Sequence, residues 1–173
     1  MTDSVTTKMN DVDIAKVASL AEKIQNEPDV GATKWNAQVD WKGGFRSEAS
    51  IRDFEATKSD EPDALGGTNT GQNPVEQVLG ALGNCLAIGY AANATAAGIT
   101  IKDMTINVEG DLDLHTFLGL KNENAGFSGI NVDVKLNSDA SPEALQALHE
   151  KVTGTSPVGH TLGRAVPLKI ELS

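Results

Sequence analysis

From Gln77 to Ile101 the chain carries no charged residue, and apolar side chains recur there without a preferred face: Val78, Leu79, Leu82, Cys85, Leu86, Ile88 and Tyr90. Asn73 can cap such a segment, Pro74 suits the first helical position, and Glu76 stands where a capping-box carboxylate reaches back. The pattern predicts a helix of about six turns that is apolar on every side and so must be covered on every side. Lipid is excluded as the cover. Gly80, Gly83, Asn84, Gly89, Asn93 and many alanines keep the stretch weakly hydrophobic, and no Lys or Arg flanks it closely on the amino side. Protein is left as the cover, and Gly80, Gly83, Ala87 and Ala91 let another backbone come close. A chain of 173 residues holds one domain with a real core, and one small domain rarely encloses so long a helix. A second copy of the chain, making a homodimer, is the expected cover.

The remaining composition removes whole classes of function. Twenty-four acidic against fourteen basic residues give a net charge of -10, which repels a phosphate backbone, so no nucleic acid is expected as a partner. One cysteine cannot form an intrachain disulfide, and His115, His149 and His160 are too scattered for a metal-ligand pattern. No metal and no cofactor are expected. The start, "MTDSVTTKMNDVDIAK", has no basic segment followed by an apolar run, so it does not read as a secretory signal. A reducing compartment, the cytoplasm, is the expected location.

Around the central helix, Asp11 to Asn26 carries an apolar stripe at Ile14, Val17, Ala18, Ala21 and Ile24, which predicts an amphipathic helix. Trp35, Ala37, Val39 and Trp41 alternate with polar residues, as do Phe45, Ser47, Ala49 and Ile51, and the two runs read as a hairpin. A three-residue loop, Lys42 to Gly44, opposes Trp41 to Phe45 and Trp35 to Ile51 and leaves Arg46, Glu48 and Arg52 on the other face. Strands are further expected over Thr100 to Leu114, with a bend or bulge at Gly110, over Ile130 to Leu136, and over Val166 to Leu172. Helices are expected after Ser141-Pro142, ending near Gly154, and after Ser156-Pro157. Strands and helices come in blocks, so the class is α+β with mainly antiparallel sheet. The expectation is one domain over 1–173, with an extra helical segment over 1–30 and the core over 31–173.

Few residues offer chemistry. Cys85 reads as a buried small hydrophobe or as a nucleophile. In the second reading a cation has to come from elsewhere, because a mid-helix position gains nothing from the helix dipole. Arg46, Arg52 and Arg164 are the candidates. Glu76 reads first as a capping carboxylate, Ser156 as an N-cap ahead of Pro157, and His160 as a solvated residue one turn further on. The loop "LGGTNTGQNP" lacks the lysine and spacing of a phosphate cradle, and Glu76 behind it would repel an anion.

Taken together, "GQNPVEQVLGALGNCLAIGYAANATAAGI", "VEGDLDL", "GFSGINVDVKLNSDASPEALQAL" and "TSPVGHTLGRAVPLKIEL" resemble the OsmC/Ohr family of hydroperoxide-reducing proteins across most of Trp41 to Leu172. The resemblance implies an intertwined α+β homodimer with two long helices at its centre. It also implies that Cys85 attacks the peroxide O–O bond to form a sulfenic acid, and that an arginine held by Glu76 stabilises the thiolate. Arg52 is the best match for that arginine and Arg46 the fallback. The chain departs from the family at the second cysteine, which normally precedes the proline of a later helix; Ser156 stands there and cannot form the resolving disulfide.

Two functions follow from the resemblance. One is a stress-related hydroperoxide reductase, a peroxidase working with Cys85 alone on an organic hydroperoxide, regenerated by an external thiol reductant, with Ser156 donating a hydrogen bond to the thiolate. The other is a non-catalytic dimer whose pocket binds a small apolar molecule.

Overall fold

The computed structural model describes residues 8–172, so residues 1–7 of the expected amino-terminal segment, where a secretory signal was sought, lie outside it. The first helix, α1, spans Ile14–Asn26, starting with its apolar stripe and later than the expected Asp11, because Asn10 and Asp11 adopt left-handed backbone angles (φ 51° and 54°) that end the preceding turn. Asn10 is used as an anchor there. Its amide nitrogen donates to the Ile99 carbonyl (2.9 Å) and the Thr95 hydroxyl (3.0 Å), and its amide oxygen accepts from the Ile101 N–H (2.8 Å). The Val17 and Leu20 side chains of α1 are exposed.

Contacts divide the chain into two units, Ala15–Val78 and Met1–Ile14 with Leu79–Ser173. In the first, β1 (Gln38–Trp41), β2 (Ser47–Ser50) and β3 (Thr57–Ser59) form an antiparallel sheet in that order. The hairpin register expected from sequence is corrected: Trp41 pairs with Ser47 and Val39 with Ala49, so Phe45 and Ile51 lie outside the ladder. Gly43 and Gly44 cause the change, since both take positive φ (93° and 60°) and allow a longer turn. That turn is closed by Lys42 N–H to the Arg46 carbonyl (2.9 Å) and by the Trp41 indole N–H to the Gly44 carbonyl (2.9 Å). A slip of two residues leaves each strand residue on the face expected for it. Arg52 leaves that face, because β2 ends at Ser50 and Arg52 sits in a turn with φ 53°. β3 lies in a stretch that reads as loop, being too short to show alternation.

The loop after β3 is organised by one carboxylate. Asp60, 1% exposed, accepts from the Thr68 hydroxyl and N–H (2.6 and 3.2 Å), the Thr70 hydroxyl and N–H (2.8 and 3.1 Å) and the Glu61 N–H (2.8 Å). This loop delivers the chain to the cap of the central helix, α2 (Pro74–Ala96). The cap forms as expected: the Asn73 side chain accepts from Val75 and Glu76 N–H, and the Glu76 carboxylate accepts from Asn73 N–H at 2.9 Å.

In the second unit β4 (Ile101–Asp111) and β5 (Gly129–Ser138) pair antiparallel, joined by a connection that holds the short α3 (Leu114–Phe117). Leu114 thus belongs to a helix rather than to the expected strand, with Asp113 accepting from the His115 N–H at its start. Of the bend or bulge expected at Gly110, the bulge is corrected. Gly110 pairs in register with Ile130, and the irregularity lies between Ile101 and Asp103. Leu82, Leu86, Tyr90 and Ala94, spaced by one turn along α2, form the core with Leu148 and Val152 of α4 (Pro142–Thr153), against Met104, Ile106, Val108, Val134 and Leu136 of the sheet. Burying each such aliphatic side chain contributes about 1.5–3 kcal/mol. Gly89 lets α2 lie close to α4, as a Cβ there would stand 3.1 Å from the Val152 side chain. The last helix, α5, spans Pro157–Leu162. Beyond it the expected strand is not formed among the described residues: Val166 to Leu172 pair with nothing, and Leu168 and Ile170 are 83% and 84% exposed.

The Thr68 hydroxyl bond, helped by the Thr70 hydroxyl and N–H bonds and opposed by burial, holds the Asp60 carboxyl well below the usual carboxylate range. A carboxyl whose pKa is lower folded than unfolded stabilises fully above the unfolded value, about 4, and loses that contribution as pH falls below it. Urea unfolding between pH 7 and pH 2 is therefore expected to show lower stability at pH 7 and a shallower acid decline for Asp60→Asn than for the parent. Equal acid slopes would remove this role from Asp60.

Candidate functional site

Cys85 lies on the flank of α2 rather than on its buried stripe, and it is half-buried. Ser156, at the cap of α5, is 5% exposed and stands opposite: its Oγ is 3.4 Å from the Cys85 Sγ. That distance is within hydrogen-bonding reach for sulfur. The same Oγ accepts the Gly159 N–H at 3.1 Å, and either Oγ or Sγ can be the donor between serine and thiol. A thiolate is acceptor only, so in the ionised state Ser156 is the donor of the pair. One sequence position thus does two jobs, capping α5 and contacting the thiol.

An open cleft of about 560 Å³ is lined among others by Leu82, Phe127, Ile130, Val132, Gly159 and Leu162, but by neither Cys85 nor Ser156. Leu82 is one turn before Cys85 on α2, and Gly159 is the residue bonded to Ser156. No charged side chain lines the cleft.

The other expected site residues are placed in the Ala15–Val78 unit or away from the pair. Glu76 spends its carboxylate on the helix cap and stands about two and a half turns from Cys85 along α2. The Arg52 guanidinium lies over the Phe54 ring, 4.6 Å from its centroid, and makes no ion pair with Glu76 or any other carboxylate among the described residues. Arg46 turns its Nε to the Gly43 carbonyl at 3.2 Å, a bond that belongs to the hairpin turn. The His160 ring makes no hydrogen bond to Ser156; only its backbone N–H does, to the Ser156 carbonyl. No group of His, Cys, Asp and Glu among the described residues is arranged to hold a metal.

Sequence reasoning missed one polar pair, a buried tyrosine with an exposed histidine. Tyr90, 2% exposed, hydrogen-bonds through its hydroxyl to Nδ1 of His149 on α4. Burial pushes the Tyr90 hydroxyl pKa up. The signal was present: a tyrosine inside an uncharged helix needs a partner for its hydroxyl, and His149 sits beside Leu148 on the apolar side of α4.

Comparison with known proteins gives a consistent result. The family model described as OsmC-like protein matches residues 67–171, more than half of the chain. Among solved structures, an OsmC-like protein from Mycoplasma pneumoniae superposes with a TM-score of 0.66 at 22% identity, covering 76% of this chain and 88% of that one. An organic hydroperoxide resistance protein OsmC from Legionella pneumophila gives 0.58 at 16% identity, covering 76% and 91%. An organic hydroperoxide resistance protein from Elizabethkingia anophelis gives 0.54 at 21% identity, covering 74% and 88%. None of the curated proteins matches the chain in sequence. At these identities the structural likeness is one of fold, α+β with antiparallel sheets.

If the Ser156 hydroxyl donates to the sulfur, its removal should slow Cys85. Ser156→Ala is expected to lower the rate of Cys85 alkylation by iodoacetamide at pH 7 by about tenfold, the scale of one hydrogen bond to a charged group. Ser156→Thr, which keeps the hydroxyl and the cap, should stay within about threefold of the parent on the same scale. An unchanged rate in the alanine variant would show that the hydroxyl does not act on the sulfur.

Proposed function

The chain belongs to the OsmC-like protein family, and on that premise we propose that it is a thiol-dependent hydroperoxide reductase that works with Cys85 alone. The observation that carries this reading is the 3.4 Å contact between Cys85 Sγ and the Ser156 hydroxyl, one turn along α2 from Leu82 of an uncharged cleft. The thiolate attacks the O–O bond of an organic hydroperoxide. The S–O bond forms as O–O breaks, two electrons pass from sulfur to the peroxide, and the alcohol leaves after taking a proton. With Ser156 in place of a second thiol, the sulfenic acid condenses with an external thiol, releasing water, and a second external thiol frees Cys85 from the mixed disulfide. Two of the similar folds are organic hydroperoxide resistance proteins, which supports the substrate class. Such chemistry belongs in a reducing compartment, the cytoplasm.

Arg52 is the proposed cation for the thiolate; Glu76, which the resemblance gives as its holder, would have to leave the helix cap to pair with it. The support is that its guanidinium has no carboxylate partner among the described residues, whereas Arg46 is tied to its own turn. The parent is expected to consume cumene hydroperoxide with a small dithiol as reductant, Cys85→Ser to lose that activity entirely, and Arg52→Ala to lose far more of it than Arg46→Ala. Undiminished peroxide consumption by Cys85→Ser would exclude the reading. The uncharged cleft also favours a second reading, a dimer that binds a small apolar molecule without turnover. Its mark would be an inert parent thiol together with an apolar ligand retained through purification, seen by native mass spectrometry.

We also propose that the active form is a homodimer. Ile88 on α2 is 70% exposed, and the carboxyl-terminal run of Val166, Leu168, Ile170 and Leu172 offers an alternating apolar row with no strand beside it. Exposed rows of this kind call for a protein cover. Sedimentation equilibrium at micromolar concentration is expected to give twice the chain mass, and Ile88→Asp to shift it toward the single chain. A monomeric parent would contradict the proposal.

A further inference from the structure

The wall of the cleft is set by a residue that neither the motifs nor the Cys85–Ser156 pair point to. A Cβ placed on Gly110 would stand 2.6 and 2.7 Å from Cδ1 and Cε1 of Phe127 and 3.2 Å from the Leu79 side chain. No side chain tolerates such distances, so the Phe127 ring occupies the space that glycine leaves above β4. The ring is fixed from the other direction as well. Next to it, Ser128 donates its N–H (2.9 Å) and its hydroxyl (3.2 Å) to the Asp111 carbonyl. Phe127 then faces the cleft together with Leu82, Ile130, Val132 and Leu162.

We infer that Phe127, seated on Gly110, is a specificity-determining residue: it fixes which uncharged alkyl or aryl groups can be held beside Cys85. The inference deepens the proposed reductase and rests on Cys85 as its reactive group. The physical reasons are two. A lining without charge leaves an anionic group poorly solvated, so the part of a reactant that lies there is neutral and apolar. A ring pinned by glycine beneath it and by the Ser128 bonds beside it is a rigid wall, and a rigid wall discriminates by size where a mobile one adapts. Phe127 is a half-buried residue of a connection, so its substitution changes the cleft without opening the core.

The test uses the full chain and two probes that alkylate the thiol, N-methylmaleimide and N-cyclohexylmaleimide. The parent is expected to favour the cyclohexyl reagent over the methyl one. Phe127→Ala should lower that preference about fivefold or more, the scale of a lost aromatic contact. Phe127→Leu, which keeps apolar bulk, should recover most of the preference and carries the test should the alanine variant fail to fold. An equal preference in parent and variants, or a native Cys85 that neither reagent reaches, would overturn the inference. The measurement is independent of turnover. A parent inert to hydroperoxide but with a Phe127-dependent preference keeps this inference and sinks the reductase; an active parent without that preference does the reverse.

Discussion

The packing of one stripe of α2, Leu82, Leu86, Tyr90 and Ala94, decides where everything else in its unit stands. These residues recur every four positions, so they present a continuous ridge to the β4–β5 sheet and to α4. Gly89 flanks that ridge and permits the short distance to Val152. Once the ridge is buried, the position of Cys85 follows from helical geometry: three residues past Leu82 and one before Leu86, it falls at the border of the core, half-buried. A thiol on the ridge itself would have been inert filler. At the border it meets the Ser156 cap.

The same ridge explains why the other side of α2 is left bare. A helix without charge over so long a stretch has apolar groups all round, yet one sheet and one helix can cover only the side they touch. Ile88 is therefore exposed, and Gly80 has no atom within 4 Å of the place a Cβ would occupy. The carboxyl-terminal run repeats the situation in extended form. Its alternation is that of a strand, and its backbone groups have no ladder partner among the described residues. Both features are surfaces that the proposed homodimer would cover.

How much of this was legible in the sequence depended on the range of the interaction that decided each feature. The α2 cap was readable because Asn73, Pro74 and Glu76 decide it among themselves. The Ser141 and Ser156 caps were readable for the same reason. The hairpin register was not, since two consecutive glycines allow several loop lengths and the alternation of Val39, Trp41, Ser47 and Ala49 is preserved by any even slip. Gly110 read as a bulge because a glycine in a strand signals either a bend or a close approach, and Phe127, seventeen positions away, chose the second. Asp60 gave no sign at all: a carboxylate in a loop is ordinary until Thr68 and Thr70 fold back onto it. Of the site, Cys85 and Ser156 were reached through the resemblance, since their contact spans 71 positions and no local rule links them.

Ser156 then bears a consequence that differs from simple loss. A cysteine at this cap would bring a second sulfur to the first, and a serine brings a hydroxyl whose acceptor side is already engaged by the Gly159 N–H. A neutral hydroxyl is too weak a nucleophile to attack a sulfenic sulfur and forms no disulfide, so it would take no part in resolving an oxidised Cys85. It can hold a proton against a negative sulfur, and the cap keeps it there without strain. In a buried site a hydrogen bond to a charged group outweighs one between neutral groups. In the proposed reductase the exchange removes the internal reductant, so turnover would draw on a thiol arriving from outside. An uncharged cleft along the approach suits such a dependence only if the incoming thiol, like the oxidant, can present a neutral part to Leu82, Phe127 and Leu162.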